Sequence, residues 1–315
     1  MSGNQTEERC APFGPTGKDI YYRRKGVVFD STITDEKTLV DIENFDVRHD
    51  DIFLATVPRS GTHWLIEIAL LIVADADPTK ANRVTQDQVF EMNFRSNPKL
   101  PAVAGYKVIE KWPSSCPRVI ATHLAAEFLP SQVWHTKGVK VLSMVRNPLD
   151  VFASQHTLYG NMLPELVQAW PDFIQYSMTD DVTGGTWFRH VLSYWTKQQQ
   201  FKDVVLLLKY EDAHRDLRAT VQAIAAFLQR PLSVEQVNRI VELTAFSGMV
   251  QTYQHLEESE PDNKFRTRIH GIKPFLDKGK VGTWKGKYTG KQLEEIKSKI
   301  NATFEGTGLS IDLEI

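Results

Sequence analysis

Apolar residues in this chain follow two patterns that alternate along its length. Short unbroken runs, Ile52–Thr56, Val139–Val145 and Val204–Tyr210, have the length and β-branched content of strands buried on both faces, and Val119–Thr122 is a shorter one. Between them apolar positions recur at helical spacing. Trp64, Leu65, Ile68, Leu71 and Ile72 predict a helix over His63–Ala74, and similar periodicity places helices near Asp150–His156 and over Thr186–Gln200, Leu217–Leu228, Val234–Ala245 and Lys291–Ile300. Strand–helix units in succession predict an α/β fold, a single domain with a central parallel sheet flanked by helices and with ligands at the carboxyl ends of its strands. No linker or repeat divides the 315 residues, so residues 1–50 are expected to pack as an N-terminal segment on a domain formed by residues 51–315. The acidic stretch Glu257–Asn263, which contains Pro261, reads as a mobile loop.

Composition narrows the setting. Hydrophobic residues at 42% and charged residues at 24% are ordinary for a soluble globular chain. No apolar run approaches the roughly 20 residues a membrane helix needs. The opening MSGNQTEERCAPFG is polar and acidic, unlike a signal peptide, and Cys10 and Cys116 can form neither a disulfide framework nor a metal cluster, so a cytoplasmic location is expected. Net charge is −2, but Lys264–Lys291 carries nine Lys or Arg against the single acid Asp277, a local +8 that leaves −10 elsewhere. A solvated basic face is one reading of such a run. Gly271, Pro274, Gly279, Gly282, Gly286 and Gly290 interrupt it, however, as in a loop that wraps an anion. With an acidic remainder and no nucleic-acid-binding signature, a small polyanion is the expected partner, with neither nucleic acid nor membrane.

Three strand ends carry candidate chemistry. After Ile52–Thr56 the chain turns through Pro58, Arg59, Ser60, Gly61 and Thr62 into a helix, which makes a P-loop-like phosphate-binding strand–loop–helix: unpaired N–H groups and the positive end of the helix dipole favour an anion, and Gly61 permits its close approach. A structural turn would read the same way. The Walker pattern is absent, since no Lys follows Gly61, which argues against ATP or GTP hydrolysis and against a P-loop kinase. At the end of Val139–Val145, Arg146 offers a planar fork suited to phosphate oxygens and Ser154 a hydroxyl, with Asp150 placed either to cap the next helix or to pair with Arg146. His123 follows Val119–Thr122 directly; it is either structural or a proton acceptor suited to neutral pH.

Taken in order, PRSGTHW, PRVIATHL, RNPLDVFAS, LKYED, TAFSGM and DKGKVGTWK resemble the cytosolic sulfotransferases over about Asp51–Ile300. The resemblance implies transfer of a sulfuryl group from 3'-phosphoadenosine 5'-phosphosulfate (PAPS) to a hydroxyl or amine, leaving PAP, with no metal. It implies that Ser60, Gly61, Thr62 and His63 bind the 5'-phosphosulfate, that Trp64 and Phe246 stack on adenine, and that Arg146, Ser154, Lys278 and Gly279 hold the 3'-phosphate. Tyr210, Thr244 and Met249 would complete the nucleotide pocket. His123 would be the general base of an in-line transfer, and Arg59 the cation stabilising charge on the bridging oxygen. Phe29, Phe90, His156, Leu158 and Tyr159 are candidate acceptor contacts, for a small apolar alcohol or phenol.

The chain also departs from the family pattern. Arg59 replaces the usual Lys, Ala121 stands where a second Lys is common, His63 replaces a Thr, and Asp277 precedes Lys278 where Arg is common. The alternative these departures leave open is a nucleotide-binding homologue with weakened catalysis. The dimer signature retains Lys285, Thr289 and Glu294 but has Gly290 for Val, which implies a monomer or a weak homodimer.

Overall fold

The computed structural model describes residues 20–83, 89–94, 103–162, 168–259 and 279–314. An antiparallel pair, β1 (Tyr21–Arg24) and β2 (Val27–Asp30), leads into α1 (Glu36–Glu43), whose N-cap Asp35 accepts the Thr38 N–H at 2.6 Å. Next come β3 (Ile52–Thr56), α2 (Thr62–Val73), the short antiparallel pair β4 (Asn93–Phe94) and β5 (Val103–Ala104), then α3 (Gly105–Ile109). The chain continues through β6 (Val119–Thr122), β7 (Lys140–Val145), α4 (Pro148–Met162), α5 (Trp170–Ser177), α6 (Trp187–Gln200) and β8 (Val205–Lys209). It ends with α7 (Tyr210–Arg215), α8 (Leu217–Phe227), α9 (Val234–Thr244), α10 (Phe246–Ser259) and α11 (Gly290–Phe304).

The central sheet is parallel, in the order β6-β3-β7-β8, with Ala55 opposite Thr122 and Ser143 and Val145 opposite Lys209. Alternate residues of β3 serve opposite faces. Phe53 and Ala55 join a core built with the N-terminal Val27, Phe29, Leu39, Ile42 and Phe45, while Ile52 and Leu54 join α2, α8 and α9. A third core packs α4, α5, α6 and α11 together. Because the chain leaves β3 first for β6 and later for β7, the order reverses between β3 and β7, and the loops after these two strands flank that switch point.

Most of the long elements appear where the apolar periodicity puts them, but the 14-residue α10 lies where no helix is predicted, and four further features differ. The hairpin β1–β2, α1 and α5 lie in stretches where no element is predicted. The run Val204–Tyr210 is not buried on both faces: β8 is the sheet edge, paired only with β7 among the described residues, and Leu206, Leu207 and Leu208 are half-buried. α10 carries helix through residues 257–259 of the expected loop, and 260–263 lie outside the described residues. Asp150 does not cap α4; Asn147 does, its Oδ1 accepting the Leu149 N–H at 2.9 Å. Among the described residues no helix is long and apolar enough to cross a membrane.

Candidate active site

The parallel order brings the loops after β3, β6, β7 and β8 to one edge of the sheet. The first has two left-handed residues in sequence alternation, Arg59 at φ +76° and Gly61 at φ +93°. Gly61 is the helix N-cap and has no room for a side chain: a Cβ there would lie 2.9 Å from Tyr210 Cδ2 and 3.0 Å from Met144 Sδ. Below the loop Thr56 and Thr62 share a hydrogen bond of 2.7 Å between their hydroxyls. Ser60 is wholly buried, and its Oγ has no hydrogen-bond partner among the described residues. A buried hydroxyl left this way is costly unless a ligand satisfies it.

Arg146, at the end of β7, ties the edge together. Its Nη1 donates to Arg59 O at 3.0 Å, its Nη2 to Lys280 O at 3.1 Å, and its guanidinium lies 4.4 Å from the Tyr210 ring centre. Its Nε is buried and has no hydrogen-bond partner among the described residues, a second open donor beside the loop. Arg146 Nη2 is 3.7 Å from Asp150 Oδ2, but the stronger bonds to Asp150 come from elsewhere. Gly282 N, Thr283 Oγ1 and Trp284 N donate to its carboxylate at 2.8, 2.9 and 3.0 Å, so this fully buried acid clamps the C-terminal glycine-rich loop onto α4. Glu211, pushed above the usual carboxylate range by burial, accepts the Asn147 N–H at 2.8 Å and anchors the same turn from α7. Ser154 Oγ accepts from Arg59 Nε at 2.8 Å, joining the two loops directly.

An apolar cleft edge adjoins the loop. Trp64 Nε1 donates to Thr244 O at 2.8 Å, and its ring meets Tyr210 edge-on at 5.3 Å. Thr244 and Met249 are buried, whereas Phe246 remains 44% exposed at the start of α10. Its ring covers Gly279, where a Cβ would come within 2.3 Å of Phe246 Cδ2. Lys278 and Asp277 lie outside the described residues. His63, on the first turn of α2, shares a 3.3 Å hydrogen bond with the Tyr253 hydroxyl of α10.

His123 stands at the end of β6, half-buried. Its Nδ1 is 2.7 Å from Thr56 O; because a carbonyl only accepts, Nδ1 carries the hydrogen of the neutral ring and Nε2 keeps its lone pair. Its backbone N–H and the Thr122 hydroxyl both donate to Glu91, at 2.8 Å each. Ala121, two residues before His123, packs in the apolar layer with Leu54 and Leu65.

The candidate acceptor contacts separate. Phe29 and Phe90 lie in the core: Phe29 packs edge-on against Phe128, and Phe90 against Phe45 and Phe53, with almost no exposed surface. His156, Leu158 and Tyr159, each half-buried, share α4 with the buried Ser154. His156 Nε2 is 3.0 Å from Gln168 O and stacks edge-on with Trp170 and Phe173. Tyr159 packs on Phe173, its hydroxyl raised in pKa by burial and opposed by the charge of Arg59. Glu91 and Glu211 were missed in the sequence, and Asp150 was read there only as a helix cap or a partner of Arg146; an acid set between apolar residues, as in VFEMNF, is the one local signal for Glu91.

Residues 49–308 match the sulfotransferase domain family. The mouse (Mus musculus) sulfotransferase 1 family member D1 is 31% identical over 281 residues, covering 87% of this chain and 90% of that protein. Sulfotransferase 1B1 of the dog (Canis lupus familiaris) is 33% identical over 280 residues, with coverage of 87% and 90%. A solved structure of mouse sulfotransferase SULT7A1 complexed with PAP resembles this fold with a TM-score of 0.73 at 26% identity, over 92% of this chain and 95% of that one. With the domain matched over most of its length and such relatives covered nearly end to end, the chain belongs to the sulfotransferase family.

Proposed function

We propose that this protein transfers a sulfuryl group from 3'-phosphoadenosine 5'-phosphosulfate to the hydroxyl, or amine, of a small apolar acceptor, with His123 as general base. The carrying observation is the fixed tautomer of His123: Nδ1 is committed to Thr56 O at 2.7 Å, which leaves Nε2 as the basic nitrogen at the edge where the loops open. Fit to the nucleotide rests on the two buried donors without a partner among the described residues, Ser60 Oγ and Arg146 Nε, and on the glycines that keep side chains away from the loop and from Phe246. The mouse structure that this fold resembles is a complex with PAP, which supports the same nucleotide class here.

In this reading Ser60, Gly61, Thr62 and His63 hold the 5'-phosphosulfate at the α2 N-terminus, and Trp64 and Phe246 bracket the adenine. Tyr210, Thr244 and Met249 close the pocket. Arg146, Ser154 and Gly279, with Lys278 beyond the described residues, take the 3'-phosphate. The bound donor supplies an electrophilic sulfur with a phosphate leaving group. His123 Nε2 takes the acceptor's hydroxyl proton as the oxygen attacks in line, and Arg59 together with the loop N–H groups stabilises charge growing on the bridging oxygen. His156, Leu158 and Tyr159 flank the acceptor from α4. The protein is cytoplasmic, and the loss of Val at Gly290 makes it a monomer or a weak homodimer.

His123→Ala tests the reading. It retains PAP binding and loses roughly 10²- to 10⁴-fold in turnover, the ordinary worth of a positioned base. Unimpaired turnover rejects His123 as the base. A second reading, a nucleotide-binding homologue with weakened catalysis, is favoured by one feature, the hydrogen bond from Arg59 Nε to Ser154 Oγ. Labelled-sulfate transfer to any alcohol or phenol of a broad panel eliminates it.

A further inference from the structure

Glu91 lies outside every motif that points to the site, yet both oxygens of its carboxylate grip the strand end that carries His123. Oε2 accepts from Thr122 Oγ1 and Oε1 from His123 N, each at 2.8 Å. The segment is locked beside β6 by its backbone: Phe90 N donates to Ala121 O at 2.8 Å, and Tyr106 N to Phe90 O at 2.9 Å. Gly105 makes this possible, because a Cβ there would fall 2.1 Å from Val89 O.

Glu91 is only 4% exposed, and among the described residues no Lys or Arg pairs with it. A buried carboxylate without a cation is unfavourable. Burial accordingly raises its pKa, and His123 is the neighbouring charge that opposes the rise. The position where the family commonly has Lys is Ala121 here, packed into the apolar layer, so it supplies no charge either.

We propose that Glu91 is the positioning residue of the base: its anion holds the turn that aims His123 and stabilises the imidazolium formed when Nε2 takes the acceptor's proton. This rests on His123 being the base. The hydrogen bonds from Thr122 Oγ1 and His123 N favour the Glu91 anion against that burial, and in the proposed step the proton moves from the acceptor hydroxyl to Nε2, where the new positive charge meets the carboxylate already in place. Because that compensation exists only once the proton has moved, it favours the transition state over the resting enzyme. The other titratable side chains about the pair are His190 and Tyr194 of α6, the first held neutral by burial and by His123, the second kept protonated by burial and by the charge of Glu91.

Glu91→Gln is nearly isosteric, and its amide can donate to Thr122 Oγ1 while its oxygen still accepts from His123 N, so the turn is kept and the charge removed. The expected result in the full chain is a kcat about 10- to 100-fold lower with acceptor KM and PAP affinity within about twofold of wild type. The acid limb of the kcat/KM profile moves about one pH unit lower, since an imidazole without its anion is less basic. Glu91→Asp, which keeps the charge, leaves that limb in place even where the shorter side chain lowers kcat. An unshifted limb in the Gln variant, or a shift of the same size in the Asp variant, overturns the proposal while inactive His123→Ala preserves the base; an active His123→Ala removes the base reading itself.

Discussion

Asp150 is the strongest single test of how this site is assembled, because one fully buried carboxylate holds the C-terminal loop to α4 through three donors at 2.8–3.0 Å. Hydrogen bonds to a charged acceptor are worth about 1.5–3 kcal/mol each, so three set a ceiling of roughly 4.5–9 kcal/mol for docking the loop. Loss cannot exceed the free energy of opening that loop, and removing one partner of a buried charged cluster usually costs about 3–5 kcal/mol. Asp150→Ala should therefore undock the loop. Asp150→Asn should cost about 2 kcal/mol, since one oxygen still serves Thr283 and Trp284 while the amide opposes the Gly282 N–H, and Thr283→Val about 1 kcal/mol. Hydrogen exchange at the Gly282 and Trp284 amides reads the effect directly, and calorimetry with PAP reads its consequence. Arg146 bonds Lys280 O and Arg59 O together, so an undocked loop should weaken PAP about 10- to 100-fold, or about 1.4–2.8 kcal/mol. Native protection of both amides in Asp150→Ala would refute the clamp. So would equal loss of protection at Phe53 and Leu54, which would mean that the whole fold and not the loop had opened.

Three other outcomes are expected. Burial, reinforced by the charge of His123, lowers the His190 pKa to about 3, so the unfolded chain takes up a proton that the folded one refuses. Stability from this group is complete above about pH 6.5 and falls by about 1.4 kcal/mol per pH unit on acidification; urea titration should show wild type losing about 2 kcal/mol more than His190→Phe between roughly pH 6.5 and 5, and equal losses would reject the assignment. Gly61→Ala places a Cβ against Tyr210 at positive φ and should cost about 1–3 kcal/mol of stability together with PAP binding, checked by denaturation and calorimetry. Arg59→Ala should cost on the order of 3 kcal/mol of transition-state stabilisation, and unchanged single-turnover rates would remove its assigned role.

Much of this architecture is legible in one dimension. Leu217–Leu228 is realised as Leu217–Phe227 and Val119–Thr122 without change, because strand and helix periods are local properties of which face each side chain must bury. The loop at Pro58–Thr62 is legible for the same reason: a strand, a glycine and a helix start are adjacent in the chain. α1 and α5 were not, being eight residues each, too short for the period to stand out, and their places depend on cores they join from afar.

What the sequence determined by itself, then, is the succession of strands and helices, the family resemblance of the loops between them, and the residue types offered at each strand end. Tertiary structure alone decided that Phe29 and Phe90 are buried in the core, that Asp150 receives donors 132–134 residues away instead of capping its helix, and that Glu91 reaches across 31 and 32 residues to hold Thr122 and His123. The physical reason is range. Periodicity and turn chemistry act over a few neighbouring residues, whereas a buried polar atom must be satisfied by whatever the completed packing brings within about 3 Å, and no local pattern encodes that partner.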